Sequence, residues 1–186
     1  MKIYKLKYSE NCKNIYPCEE QNLDFYQMFD GTSYKTTWKS MNVKYIDEEA
    51  ELEKGNNSYF SIPVFDKVAL DVLQKLMGED VEILPLMLDN EEVYGINVLS
   101  VLKALDYDNS EYRTFTDGEI MVILKYSFIE KCISNKNIFK ITDESRTSSP
   151  FVSELFKKTV EDNNLTGFEF ELVWDSEEKT KRYLGL

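Results

Sequence analysis

The stretch from Ser153 to Trp174 constrains the fold of this chain more strongly than any other part of the sequence. Large apolar side chains occupy every second position from Phe168 onward, which is the period of a strand with one buried face. Upstream, Phe156 and Val160 share one face of a predicted helix, and Ser153 is placed to cap its first turn. The stretch therefore predicts a helix that packs against the strand that follows it. The side chains predicted to be buried from this strand are Phe168, Phe170, Leu172 and Trp174.

A second helix is predicted at about 66–77, where apolar residues recur at helical spacing. The aspartate at its start is placed as an N-cap, and Gly78 supplies the stop. Two apolar runs, 81–88 and 94–99, follow it and are separated by an acidic turn, which predicts a β-hairpin. Pro85 lies inside the first run and predicts that this strand is at a sheet edge or carries a bulge.

Further strands are predicted at 2–8, 120–126 and 138–141. Residues 127–136 fit either a helix or a strand. The order of these elements predicts an α+β fold, in which mainly antiparallel sheets carry two principal helices, at about 66–77 and 153–163.

The length of 186 residues predicts a single compact domain spanning 1–186. The signals for secondary structure are weakest before about residue 60, so this part is expected to be the looser one.

The charge of the chain limits its partners. There are 34 acidic and 22 basic side chains, and the net charge is −12. Such a chain repels nucleic acid phosphates and anionic lipids, so we predict neither nucleic acid nor membrane as a partner. A basic protein would be attracted to it, although the acidity could also serve solubility alone.

The complete absence of histidine excludes Ser-His-Asp triads, Cys-His pairs and histidine zinc sites. The 3 cysteines form no CxxC pair, which indicates reduced thiols and not a disulfide framework. No apolar run has the length of a signal peptide or a membrane span. We therefore expect a cytoplasmic protein that is not an enzyme and has no catalytic residues, no metal site and no cofactor.

Exposed acidic segments are the predicted partner-binding surface, because they would attract a positively charged protein. The alternative is that these carboxylates form only a solvated face. The predicted residues are Asp47, Glu48, Glu49, Glu51, Glu53, Asp106 and Asp108.

Three other features have more than one interpretation. The spacing of acidic residues from Asp106 to Asp117 resembles a calcium loop but lacks its glycine, which favours a plain acidic turn. Cys132 follows a lysine that could lower its pKa, yet a buried inert thiol is favoured. Trp38 fits either a core edge or an exposed interface anchor, and the core is favoured.

Several long segments resemble one family of immunity proteins from bacterial polymorphic toxin systems, family eleven, formerly a domain of unknown function. The similarity extends over most of the chain from about residue 60, including PVFDKVALDVLQKL, YGINVLSVLKALDYDNS and FVSELFKKTVEDNNLTGFEFELVW. The matching residues are Leu84, Pro85, Asn97, Asp106, Ser110, Phe139, Ser153, Thr166, Gly167 and Phe170. All have structural roles in our interpretation, so the resemblance assigns no functional site.

The resemblance implies a small cytosolic protein that binds a cognate toxin and blocks its active site. The net charge of −12 fits this role if the toxin domain is basic, as nucleases usually are. Two alternatives remain open: a carboxylate-dependent hydrolase of unknown substrate, and a housekeeping protein-interaction module. The oligomeric state is not predicted.

Overall fold

The computed structural model describes residues 1–8, 15–18, 29–45, 56–59, 62–144 and 148–177. The strands are β1 (Lys2–Tyr8), β2 (Ile15–Pro17), β3 (Asn42–Tyr45), β4 (Asn56–Tyr59), β5 (Ile62–Phe65), β6 (Val81–Leu88), β7 (Glu91–Val98), β8 (Val101–Leu102), β9 (Glu111–Thr114), β10 (Ile120–Lys125), β11 (Ile138–Ile141), β12 (Phe151–Ser153) and β13 (Phe168–Asp175). The helices are α1 (Lys67–Met77), α2 (Glu130–Ile133) and α3 (Glu154–Asp162), and a 3₁₀ turn (Gly78–Asp80) follows α1.

The strands of the described residues form three sheets. A 6-stranded sheet has the order β2-β3-β6-β7-β5-β4, and a 5-stranded sheet has the order β13-β1-β12-β11-β8. The third sheet is the 2-stranded β9–β10 hairpin. Neighbouring strands are antiparallel except in the pairs β3–β6 and β8–β11. The predicted α+β fold with mainly antiparallel sheets is confirmed.

Both predicted principal helices form where their capping residues indicated. The carboxylate of Asp66 accepts a hydrogen bond from the backbone N–H of Ala69 at 2.7 Å and caps α1. The helix ends at Gly78, whose φ of +53° lies in the left-handed region that favours glycine. The hydroxyl of Ser153 accepts from the N–H of Phe156 at 3.1 Å and caps α3 in the same way.

The two helices pack against each other and on the sheets around a common core. Phe65, Leu73 and Phe156 are each fully buried there. Burial of side chains of this size contributes roughly 1.5–3 kcal/mol each before entropy is counted. This core joins the two large sheets through α1 and α3.

Strand β13 forms as predicted, but its apolar side chains do not share one face. Phe168 and Phe170 pack against the helix core, whereas Trp174 is buried in a second core beside Ile3. Leu172 is 50% exposed, so the prediction that it is buried is wrong. The cause is a register irregularity, since Ile3 pairs with Trp174 but the next residue of β1 pairs with Leu172. This shift disturbs the alternation of faces.

The predicted hairpin 81–99 also forms, with a tighter turn than the sequence indicated. Strand β7 begins at Glu91, and the connection is the pair Asp89–Asn90, with φ of +49° and +70°. Two consecutive positive φ values are the geometry of a type I′ turn, which matches the twist of paired strands.

Pro85 does not place β6 at the edge of its sheet, because β3 and β7 flank this strand. However, β3 pairs with β6 at Met87 and Leu88, so no strand in the described ranges covers the edge beside Pro85. Trp38 occupies this position instead, and its indole N–H donates to the carbonyl of Pro85 at 3.0 Å. Trp38 is half-buried against the core of this sheet, as favoured from the sequence.

Candidate functional site

An open groove of about 1120 Å³ lies beside the β9–β10 hairpin. Its walls are β10 on one side, parts of β1 and β13 on another, and the segment after β11. This volume exceeds the roughly 300–1,000 Å³ of a typical small-molecule pocket. The lining residues are Lys5, Lys7, Tyr107, Phe115, Thr142, Asp143, Glu144, Ser148, Glu171, Leu172, Val173 and the run 118–126.

The floor of the groove contains a polar cluster of three side chains. The ammonium of Lys5, on β1, donates to both carboxylate oxygens of Glu144 at 2.8 and 3.0 Å. It also donates to the hydroxyl of Tyr126 at 3.1 Å, and this hydroxyl donates to Glu144 in turn. The side chains of Lys5 and Glu144 are only 16% and 11% exposed. The cluster ties the end of β10 to β1.

The environment of Tyr126 keeps its hydroxyl protonated. Burial, followed by the hydrogen bond to Glu144, raises the pKa of Tyr126 far above its usual value. Its ring packs on Phe151 with 5.3 Å between centroids, and the ammonium of Lys5 lies 5.4 Å from each of these two rings. The cluster is therefore well suited to a fixed structural role at the base of the hairpin.

The turn of the β9–β10 hairpin has a well-defined local geometry. The carboxylate of Asp117 accepts from the N–H of Glu119 at 3.0 Å, and the N–H of Phe115 donates to the carbonyl of Glu119 at 2.8 Å. Gly118 has a φ of +92°, which side chains disfavour. The turn projects β10 as an ordered strand.

Strand β10 exposes large apolar side chains. Met121, Val122 and Leu124 are 52%, 42% and 57% exposed. Phe115 in the turn and Leu172 across the groove are each 50% exposed. Exposed apolar surface of this kind is typical of an interaction site.

The groove lies next to one of the predicted acidic segments. Tyr107, between Asp106 and Asp108, lines the groove, and its hydroxyl donates to Asp143. This hydrogen bond is the main reason that the pKa of Tyr107 is raised. The predicted residues Asp106 and Asp108 thus stand at the rim of the groove.

The two rim aspartates differ in role. Asp106 is half-buried, and its carboxylate accepts from the side-chain amide of Asn109 at 2.9 Å. Its backbone N–H donates to the carbonyl of Ser127 at 2.8 Å, which fixes the turn before β9. Asp108 is exposed and free of these structural contacts. The other predicted partner-binding residues, Asp47, Glu48, Glu49, Glu51 and Glu53, lie outside the described residues.

The calcium-loop alternative is wrong, because Glu111–Thr114 forms strand β9 in the middle of the required loop. Within the described ranges no group of three or more His, Cys, Asp or Glu side chains could hold a metal ion. Cys132 is half-buried against the core beside β11.

A second polar cluster lies away from the groove and holds the segment 29–45 on the 6-stranded sheet. Glu82, on β6, is 8% exposed and accepts from the hydroxyl of Ser33 at 2.6 Å. It also accepts from the N–H groups of Tyr34 and Lys35, each at 2.8 Å, and from the amide of Asn97 at 3.2 Å. Burial alone would raise the pKa of Glu82, but these hydrogen bonds outweigh it and hold the pKa below its usual value.

Lys140, on β11, is also a buried charged side chain with a displaced pKa. Burial lowers the pKa of Lys140 to about 8, although Glu144 and Asp30 oppose this change. It does not line the groove.

The groove itself was not predicted from the sequence. The sequence predicts a strand at 120–126, but nothing in its apolar pattern indicates that its side chains are exposed. The one available signal was the Asp117–Gly118 pair between two short strand-like runs, which is typical of a hairpin turn.

Fold and groove together define an α+β protein with a wide surface groove between an isolated hairpin and a sheet edge. Residues 88–175 match the model of the Immunity protein family (Imm11). This match confirms the predicted resemblance to an immunity protein family, over a shorter range than the one inferred from about residue 60. It includes every groove-lining residue except Lys5 and Lys7.

The match implies a role in immunity to a toxin. A comparison with curated proteins finds no match. Among the described residues, no helix has the length and apolar character needed to cross a membrane.

Proposed function

We propose that this protein neutralises a cognate bacterial toxin domain by binding it and occluding its active site, and that it does so without catalysis. The observation that carries the proposal is the match of residues 88–175 to an immunity protein family. The geometry supports it, because the matched region contains an exposed apolar strand beside a wide groove. A surface of this kind suits a macromolecular partner better than a small substrate.

The acidic surface provides the proposed means of attraction. The net charge of −12 favours a basic toxin domain and would accelerate its association. We propose that exposed Asp108 and the run Asp47, Glu48, Glu49, Glu51 and Glu53 contribute to this field, with Asp106 supporting the turn that presents Asp108. On this proposal the protein acts in the cytoplasm, with no cofactor, nucleic acid or membrane.

The hydrolase alternative requires a groove carboxyl that acts as a general acid, with a raised pKa. Glu144 is the least exposed groove carboxyl that carries an ion pair, and both of its oxygens already accept hydrogen bonds from the ammonium of Lys5, with a further one from the hydroxyl of Tyr126. The groove therefore favours binding over acid catalysis.

The test uses the purified toxin domain encoded beside this gene. We expect an equimolar amount of this protein to abolish the toxin's activity, with association that slows as salt is added. Full toxin activity in the presence of excess protein would overturn the proposal.

Charge reversal separates the contribution of the acidic residues. Substitution of Asp47, Glu48, Glu49, Glu51 and Glu53 by lysine should slow association, and Asp108→Lys should have a smaller effect in the same direction. The matched control is Glu91→Lys, since Glu91 is exposed and lines no part of the groove. If both acidic variants associate with the toxin at the same rate as the control, the interface lies elsewhere.

A further inference from the structure

We propose that β10 is a docking strand, to which an extended segment of the toxin adds along the free strand edge, with apolar and basic side chains directed into the groove. This inference rests on the proposed function and assigns the surface through which it is carried out.

The first argument is the state of the strand edge. Strand β9 covers one edge of β10, and no other strand in the described part of the chain pairs with it. Strand β13, on the opposite side of the groove, is likewise the last strand of its sheet. Free edges expose unpaired backbone donors and acceptors, and proteins commonly recruit a partner strand to such an edge.

The second argument is the side chains that β10 presents. Five of its six residues are apolar, and three of them are at least 42% exposed. Natural edge strands are usually protected by charges, prolines or bulges that prevent aggregation. The central residues Met121 to Leu124 carry no charge or proline. The pairing of β10 with β9 does shift register, between Ile120 and Val122 and between Ile123 and Lys125, but these irregularities leave the exposed apolar side chains in place. An apolar edge of this kind is expected where a partner covers it.

The third argument is the charge of the groove, which identifies the partner's chemistry. Its three lysines are already ion-paired: Lys5 with Glu144 at 2.8 Å, Lys7 with Glu171 at 3.5 Å and Lys125 with Glu111 at 3.6 Å. The carboxylates of Asp143 and Glu119 have no ion pair among the described residues. Unbalanced negative charge beside apolar surface favours a segment in which lysine or arginine alternates with apolar residues.

The same charge argues against a second copy of this chain as the occupant. Two copies with a net charge of −12 each repel one another. A strand from a basic toxin domain has no such penalty.

The test is the double variant Met121→Lys and Leu124→Lys, with the purified toxin domain encoded beside this gene as the probe. Both positions are more than half exposed, so the fold should tolerate the change. The lysines remove the apolar contact and repel basic side chains, so we expect the dissociation constant to rise about 100-fold or more.

The matched control is Val68→Lys with Leu155→Lys, on α1 and α3. These residues are 63% and 55% exposed and do not line the groove, so the variant has the same added charge and a comparable loss of apolar surface. We expect its dissociation constant to stay within about threefold of the unmodified protein, since surface changes outside an interface have small effects.

Hydrogen exchange tests strand addition directly. Amides of residues 120–125 should exchange more slowly in the complex than in the free protein, because new inter-strand hydrogen bonds protect them. Binding that leaves these amides unprotected would overturn strand addition.

The remaining outcomes separate this inference from the proposed function. If the folded double variant inhibits the toxin as well as the unmodified protein does, the docking strand is wrong and the immunity function stands. If the unmodified protein neither binds nor inhibits the toxin, both are wrong. If the unmodified protein is a dimer and the double variant is a monomer, β10 pairs with a second copy of this chain. That result would overturn the proposal that a toxin segment binds β10.

Discussion

The two hairpins β6–β7 and β9–β10 have strands of similar apolar character and very different surroundings. Leu84 and Leu86 on β6 are at most 1% exposed, whereas Met121 and Leu124 on β10 are 52% and 57% exposed. Apolar composition favours a strand in both segments, but it does not determine which faces are covered. Coverage depends on neighbours supplied by distant parts of the chain.

The neighbours of the first hairpin come from both sides of the 6-stranded sheet. Residues Ile96 and Val98 pack against the core formed with α1 and α3, while Leu84 and Leu86 pack with the segment that contains Phe29. The second hairpin packs on a core only through Ile120 and Ile123, which are partly buried, and its other β10 side chains border the groove. The comparison indicates that β6–β7 maintains the fold and that β9–β10 is available for a partner.

The largest difference should appear when one leucine of each hairpin is truncated. We expect Leu84→Ala to lower the free energy of unfolding by about 2–5 kcal/mol, because it leaves a cavity in a packed core. Leu124→Ala should change it by no more than about 0.5 kcal/mol, because its side chain is already in water. Urea denaturation of both variants measures the two values. Equal losses of unfolding free energy in the two variants would show that β10 is covered in solution and that the two hairpins do not differ in burial.

An intermediate effect is expected from Glu82→Gln, which tests how β6 holds the segment 29–45. Glutamine keeps one acceptor oxygen but directs an amide N–H group toward buried donors. We therefore expect the free energy of unfolding to fall by about 2–3 kcal/mol at pH 7. The exposed Glu91→Gln serves as the control and should change stability little.

The pH dependence of the Glu82 effect has a defined sign. The pKa of Glu82 is lower in the folded protein than its usual value of 4.5, so its carboxylate stabilises the fold above that value. This contribution is lost as the pH falls through the lowered pKa of the folded state. The stability difference between Glu82→Gln and the unmodified protein should therefore shrink in acid. A difference that stays constant below pH 4.5 would contradict the proposed role of the Glu82 carboxylate in holding the segment 29–45.

The smallest effect is expected at the base of the second hairpin. Lys5→Met removes the ammonium that bonds to both Glu144 and Tyr126. We expect it to lower the free energy of unfolding by about 1–2 kcal/mol, because Lys5 and Glu144 are both largely buried. Lys7→Met is the matched change on the same strand. Its pair with Glu171 is 43% and 59% exposed, so we expect an effect of no more than about 0.5 kcal/mol. Thermal unfolding of the two variants compares them, and equal shifts would mean that the Lys5 cluster does not anchor the hairpin.

Local signals were sufficient to predict the helices. Asp66 and Ser153 each cap a helix through their own side chains, and Gly78 ends the first helix within the same few residues. The apolar period of each helix is equally local. Such features depend on neighbours in the sequence, so they can be inferred without the fold.

The features that the sequence did not predict correctly depend on contacts between residues that are distant in the chain. Leu172 is exposed because of the register between β13 and β1, at the two ends of the described chain. The groove floor joins Lys5 to Tyr126 and Glu144, which are 121 and 139 residues away. No pattern within either segment encodes these pairings, which is why the groove could not be predicted from the sequence. The acidic residues were predicted by composition, and only Asp106 and Asp108 have a described position next to the groove.

The two tryptophans of the chain lie in different halves of the molecule, and this placement has a practical consequence. Trp174 is enclosed by the aromatic core of the 5-stranded sheet and contacts Phe128, whereas Trp38 is half-buried beside β6 with its indole N–H bonded to Pro85. An indole in an apolar core emits at shorter wavelength than one that is partly hydrated. Trp38→Phe and Trp174→Phe would therefore each leave a single tryptophan, so that the unfolding of either large sheet could be followed by the emission of its own indole.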